Sequence, residues 1–350
     1  MNTHFVWEPS IAAPLFYPAE AKYAYVTFGT NESKFPVMDT EVAGGFSSSG
    51  GSAILDDFSN DDGYEIPNGI SVLWVSLAER KFYKADIHFS QELQNKILRL
   101  FQEGYKDGVS NQKGQYREFV VSLLPGGRIW LFLEGIGRQT LVCDTLQAVE
   151  SHISLKEFDP DGYAYTEGNF EKYCAGMLSD YEGATANLKK NGIPKTLWNT
   201  YAERFRYKIR FEYEDKNAVL DPNIMCHFCN GELYSLNGSI PTEGQARVKY
   251  LTCDWKVGDA QYKGEFFFDE AEVMKVLSGK WHHEGELVIK VSKYNNSFDI
   301  FLNTEMGKRP LEKTKIHVFR DTPLNLKEDE KPFYNNHRDI YSGDIHFKGE

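Results

Sequence analysis

Two stretches of this chain follow one pattern. Residues 70–104 read ISVLWVSLAERKFYKADIHFSQELQNKILRLFQEG, and residues 246–279 read ARVKYLTCDWKVGDAQYKGEFFFDEAEVMKVLSG. Each opens on an apolar strand pattern and passes through a Tyr-Lys pair, Tyr83-Lys84 or Tyr262-Lys263, to a strand ending in Phe89 or Phe268. A capped helical pattern follows and stops at Gly104 or Gly279, where a left-handed residue is wanted. Each stretch then adds a hairpin pattern, FVVSLLPGGRIWLFLEG (119–135) or LVIKVSKYNNSFDIFLN (287–303). The repeated order predicts an α+β fold of two related halves. Each half is expected to be a mainly antiparallel twisted sheet with one amphipathic helix packed on it.

The helices carry the clearest local signals. After Ser90, the residues Leu93, Ile97, Leu100 and Phe101 share one helical face. Asp269 and Glu272 have capping-box spacing, and Val273, Val276 and Leu277 supply the second apolar face. Pro125-Gly126-Gly127 and Asn295-Asn296 fall where a tight turn joins paired strands. The opening segment, with Pro9, Pro14 and Pro18 among aromatics, predicts extended chain along a sheet edge, because proline cannot donate to a ladder. The expected division is a first β-rich half over 1–167, a helical connector over 168–206, a second β-rich half over 207–320 and an irregular tail over 321–350.

At 350 residues the chain is long enough for two cores, and 41% apolar with 26% charged residues is a globular composition. The net charge of −12 argues against nucleic acid, whose phosphates need clustered Lys and Arg. It suits a basic protein partner. The N-terminus has no positive n-region or apolar h-region, and no run of about 18 apolar residues offers a membrane span. The expectation is a cytoplasmic chain as written, or a periplasmic one if an export or lipoprotein signal precedes it. The five cysteines, odd in number and unevenly spaced, do not suggest a disulfide framework.

Three further features carry a resemblance. The opening FVWEPSIAAPLFYPAE, the segment WVSLAERKFYKADIHF and the Pro-Gly-Gly turn of LLPGGRIWLFLEG resemble the bacterial domain-of-unknown-function family 2931 over about residues 5–140. The part from Asn191 to Glu214 is similar to members of this group as well. These motifs are structural in character, so the resemblance implies a fold rather than a catalytic residue. Some relatives are encoded beside type VI secretion effectors, which implies an immunity protein. Many relatives look like lipoproteins, whereas this chain has no lipobox.

Catalytic and metal chemistry finds little support. Cys226-His227-Phe228-Cys229 is half of a zinc knuckle pair, and Cys253 with His282-His283 could complete it only through folding. The loop from Asp57 to Gly63 places its Gly one position late for a calcium loop and has no Glu at the twelfth position. Gly-x-Ser-x-Gly, His-Glu-x-x-His and Walker patterns are absent. Cys143 with His152 could form a nucleophile and base. Glu79 with Glu134 could form an acid and base, although ion pairing to Arg80 or Arg128 is the simpler role.

The expectation is therefore a non-enzymatic binding protein without cofactor or metal. Its partner would be a protein effector encoded by a neighbouring gene. The alternatives are a carbohydrate- or small-ligand-binding module of the envelope, with Trp74, Tyr83 and Trp130 lining a groove, and a hydrolase with dispersed acidic residues. Partner contacts are expected on two acidic loops carrying tyrosines. One offers Asp56, Asp57, Asp61, Asp62, Tyr64 and Glu65, and the other Glu157, Asp159, Asp161, Tyr163, Tyr165 and Glu167. Carboxylates steer a basic partner, and tyrosines supply contact area at low entropic cost.

Overall fold

The computed structural model describes residues 3–37, 41–42, 45–46, 63–108, 110–239, 241, 243–279, 282–323, 334–335 and 345–350. The chain divides into two compact units. The first comprises Met1–Tyr105, Lys113–Trp198 and Lys348–Glu350, and the second Lys106–Gln112 and Asn199–Phe347.

In the first unit the strands are β1 (Glu8–Ala12), β2 (Ala19–Phe28), β3 (Ser33–Pro36), β4 (Glu41–Val42), β5 (Pro67–Ser76) and β6 (Lys81–His88). Helix α1 (Gln91–Glu103) follows. A ribbon of β7 (Tyr105–Lys106) and β8 (Lys113–Gly114) leads to β9 (Glu118–Leu124), β10 (Arg128–Gly135), β11 (Arg138–Gln147) and β12 (Val149–Ser151). The helices α2 (Leu155–Phe158), α3 (Phe170–Asp180) and α4 (Ala184–Asn191) complete it. One sheet runs β12-β6-β5-β2-β3, with β4 also on β2, and a second order is β1-β9-β10-β11. The core between them holds Trp7, Val26, Ile70, Val72, Trp74, Phe119, Val121, Leu131 and Leu133. Helix α1 adds Ile97 and Phe101 to it. Its start is fixed by Ser90, whose hydroxyl accepts from the Leu93 N–H at 3.3 Å.

Helix α5 (Leu197–Ala202) carries the chain from the first unit to the second. There follow β13 (Tyr207–Tyr213), β14 (Ala218–Leu220), β15 (Met225–Phe228), β16 (Leu233–Ser235), β17 (Val248–Val257) and β18 (Ala260–Phe267). Then come α6 (Glu270–Val276), β19 (Gly285–Val291), β20 (Phe298–Thr304), β21 (Gly307–Pro310) and β22 (Lys315–Asp321). The strand orders are β22-β18-β17-β15-β16, with β14 also on β17, and β13-β19-β20-β21.

Some pairings recur in the two units, while β4 lies on β2 and β14 on β17, and the β7–β8 ribbon has no counterpart in the second unit. The leading strand pairs in parallel with the strand after the helix, β1 with β9 and β13 with β19. The pairings β2–β5–β6 and β15–β17–β18 are all antiparallel. Trp74 opposes Tyr83 across β5–β6 with ring centroids 5.5 Å apart, and Trp255 opposes Tyr262 across β17–β18 at 5.4 Å.

The α+β class and the two predicted helices stand as read. Each unit, however, holds two strand layers where one sheet was expected, because a strand's apolar pattern does not say which strand it pairs with. Within the expected connector, residues 170–191 form two helices separated at Gly183, whose φ of +82° an ordinary helix cannot continue. Helix α3 packs its Phe170 and Cys174 onto the first unit's own sheet beside Leu73, Val75 and Phe82, so it is part of that unit's core.

Candidate protein-binding surface

Loop 157–167 is built from its fastenings outward. Ser154 caps α2 with a full capping box: its hydroxyl meets the Glu157 N–H at 3.2 Å, and the Glu157 carboxylate takes the Ser154 N–H at 2.9 Å. The Ser154 hydroxyl, donating to the carboxylate at 2.6 Å, and then the Ser154 N–H hold the Glu157 carboxyl below its ordinary value. Lys22 of β2 donates to the carbonyls of Glu157 and Phe158, both at 2.5 Å. Phe158 then enters the core, 4.9 Å from the Phe82 ring and 4.8 Å from that of Tyr165.

Beyond the turn, Asp159 accepts the Gly162 N–H at 3.0 Å. Thr166 and Asn169 side chains both donate to the Tyr163 carbonyl at 3.2 Å. Tyr165 turns inward at 3% exposure and donates to Glu20 at 2.7 Å, and Tyr173 donates to the same carboxylate oxygen at 2.5 Å. Burial, and then the Glu20 carboxylate, push the Tyr165 hydroxyl well above its ordinary value, so it remains a donor.

The Tyr163 side chain is left outside this frame. Tyr163 is 82% exposed at the loop tip, near exposed Asp161 and Glu167. Of the six residues expected to contact a partner here, Tyr163, Asp161 and Glu167 present free side chains. Glu157 and Asp159 are engaged in shaping the loop. Tyr165 is corrected from surface anchor to core plug, because its ring completes the cluster with Phe158, Phe170 and Tyr173. The Ser-x-x-Glu spacing of Ser154 and Glu157 is the sequence signal that would have revealed the capping box.

The other expected loop divides. Asp56, Asp57, Asp61 and Asp62 lie outside the described residues, and with them the calcium-like pattern. Tyr64 belongs to an aromatic cluster, 5.3 Å from Phe28 and 5.4 Å from Phe35, and its backbone bridges Phe5. Glu65 accepts the Thr30 N–H at 3.2 Å, and its carbonyl takes the Trp7 indole N–H at 3.1 Å. Both residues thereby fasten the chain to the β2–β3 hairpin.

The remaining candidates are structural in their surroundings. Trp74, Trp130 and Tyr83 are buried, which removes them as the lining of an open groove. The Glu79 carboxylate accepts the Gly126 N–H at 2.8 Å and bonds the Tyr83 hydroxyl, so two of the motifs that resemble the family meet at one turn. Arg80 pairs with Glu171 at 2.5 Å rather than with Glu79, and Arg128 reaches the Lys195 carbonyl at 3.4 Å. Glu134 is buried.

Cys226, Cys229 and Cys253 are buried. Burial pushes the Cys226 and Cys253 thiols well up, and Cys229 donates to the Tyr201 carbonyl at 3.6 Å. His282 and His283 both meet Glu305, at 2.8 Å through a backbone N–H and 3.6 Å through a ring nitrogen. Cys143 meets Thr145 at 3.5 Å. Among the described residues no three His, Cys, Asp or Glu side chains converge on a point that could hold a metal ion. No helix formed by them is long and apolar enough to cross a membrane.

The model of a family described as "Protein of unknown function (DUF2931)" matches residues 1–195, more than half of the 350. No curated protein and no solved structure matches the chain.

Proposed function

The chain belongs to the DUF2931 family, and from that premise we propose that it is a non-enzymatic protein-binding protein whose contact surface includes loop 157–167. The observation that carries this reading is Tyr163, 82% exposed on a loop whose neighbours are bound down on both sides. A large amphipathic side chain held ready in water loses little freedom on binding, which is how tyrosine contributes to interfaces. Asp161 and Glu167 give the tip a negative field that speeds encounter with a basic surface.

The partner that the family resemblance favours is a secreted antibacterial effector of a type VI system, encoded by a neighbouring gene. The chain is then its immunity protein. The pairings that recur in the two units support a further part of this reading, that the scaffold is an internal duplication. A scaffold of two such units displays loops on rigid sheets, and binding residues concentrate on loops so held.

The test is calorimetric titration of the purified neighbouring toxin into the full chain. Tyr163→Ala is expected to weaken binding by about 2 kcal/mol or more, as for an interface anchor. Asp161→Asn with Glu167→Gln should flatten the dependence of affinity on salt. Unaltered affinity and salt dependence in all three would place the interface elsewhere. A toxin that does not bind the unmodified chain would overturn the immunity reading itself.

A further inference from the structure

The first unit shows, by comparison, an opening in the second. Helix α1 has 13 residues and lies against β11, a strand of 10, with the Lys96 ammonium donating to the Val142 carbonyl at 2.7 Å. In the second unit the corresponding helix α6 has 7 residues and the corresponding strand β21 has 4. Counted from the caps Ser90 and Asp269, Lys275 stands where Lys96 stands. Between the shorter helix and the shorter strand lies an open cleft of about 610 Å³. That volume is in the range of small-ligand sites.

The lining is cationic on a chain whose net charge is −12. Lys275, Lys308, Arg309 and Lys313 face it together with Glu272 and Glu312. The Glu272 carboxylate is already engaged, accepting the Glu312 and Lys313 N–H groups, each at 2.9 Å. Those bonds shape the turn after β21 and offset part of its charge. Arg309 reaches the carbonyls of Val276 at 2.9 Å and Ser278 at 3.3 Å, placing a guanidinium at the C-terminal end of α6. Lys308 shares Asp299 at 3.1 Å. The ammonium groups of Lys275 and Lys313 have no hydrogen bond or ion pair to any described residue. Four cations against two carboxylates leave the concave lining net positive, and such a surface concentrates anions.

We propose that this cleft binds a small anion carrying a phosphate or carboxylate group, gripped by Lys275 and Lys313 with Arg309 fixing one wall. The inference rests on residues of the second unit alone and is independent of loop 157–167. Charge-assisted bonds of this kind are short and strong, and Lys275 and Lys313 are exposed, so their replacement spares the core.

The experiment is isothermal titration of inorganic pyrophosphate and, separately, citrate into the full chain at low ionic strength. At least one is expected to bind at one site per chain. Lys275→Gln and Lys313→Gln should each weaken it about tenfold, the worth of one bond to a charged group. Binding of pyrophosphate but not citrate assigns a phosphate, and the reverse assigns a carboxylate. No heat from either probe, or equal affinity in the Lys275→Gln/Lys313→Gln variant, would overturn the proposal.

Discussion

Tyr165 donates its hydroxyl hydrogen to Glu20 at 2.7 Å, a bond between residues 145 positions apart that ties the candidate loop to β2. Tyr173 shares the same oxygen. Tyr165→Phe therefore leaves Glu20 with one phenol and keeps the ring in the core. Its expected cost is about 1.5–3 kcal/mol, the worth of one hydrogen bond to a charged group. Urea unfolding measures it, and a loss above that range would mean that Glu20 depends on Tyr165 far more than on Tyr173.

The turn between β9 and β10 separates two glycines that look alike in sequence. Gly126 (φ +76°) and Gly127 (φ +73°) both hold a conformation that disfavours a side chain. An added Cβ at Gly126 meets nothing within 4 Å, whereas at Gly127 it would lie 2.7 Å from the Tyr83 ring. Gly126→Ala should cost about 1 kcal/mol from the backbone alone. Gly127→Ala should cost clearly more, because Tyr83 is held by Trp74 behind it and by Glu79 at its hydroxyl. Equal thermal shifts for the two variants would contradict the contact.

These two cases mark what the sequence could and could not convey. Helix α1 was legible because its cap, its apolar period and its terminal Gly are local, lying within fifteen residues of one another (90–104). The parallel pairing of β1 with β9 was not, since Glu8 and Glu118 meet only through the fold. Nor was the fate of Tyr165: exposed and buried tyrosines two positions apart look the same until Glu20 and Phe158 are seen to claim one of them. The aromatic residues assigned to a groove failed similarly, because cross-strand partners buried Trp74 and Tyr83.

The cysteines give a prediction in pH. Burial pushes the Cys174 thiol from its ordinary 9.0 up to about 11, and Cys226 and Cys253 are raised as well. A raised thiol keeps its neutral form in the folded chain. Its contribution to stability is whole below pH 9.0 and is lost as pH rises through about 11. Iodoacetamide at pH 8 should therefore modify the half-exposed Cys143 and spare the other four, as peptide mass spectrometry would report. Rapid modification of Cys226 or Cys229 in the folded chain would show that the β15–β16 hairpin opens readily.

Tyr163 and Tyr165 together allow the binding proposal to be separated from loop stability. Tyr163 has little to lose on folding, being 82% exposed, so Tyr163→Ala should leave the unfolding midpoint within experimental error while weakening capture of the effector. Tyr165→Ala removes a buried ring that touches Phe158, Phe170 and Tyr173 and should cost about 3–5 kcal/mol. Below its melting temperature that variant should also bind more weakly, because the tip it anchors is no longer preorganised, an entropic cost that appears on binding. The decisive comparison is thermal unfolding beside effector affinity for both variants. If Tyr163→Ala loses stability but keeps affinity, the exposed ring serves the fold, and the contact surface must be sought on other loops.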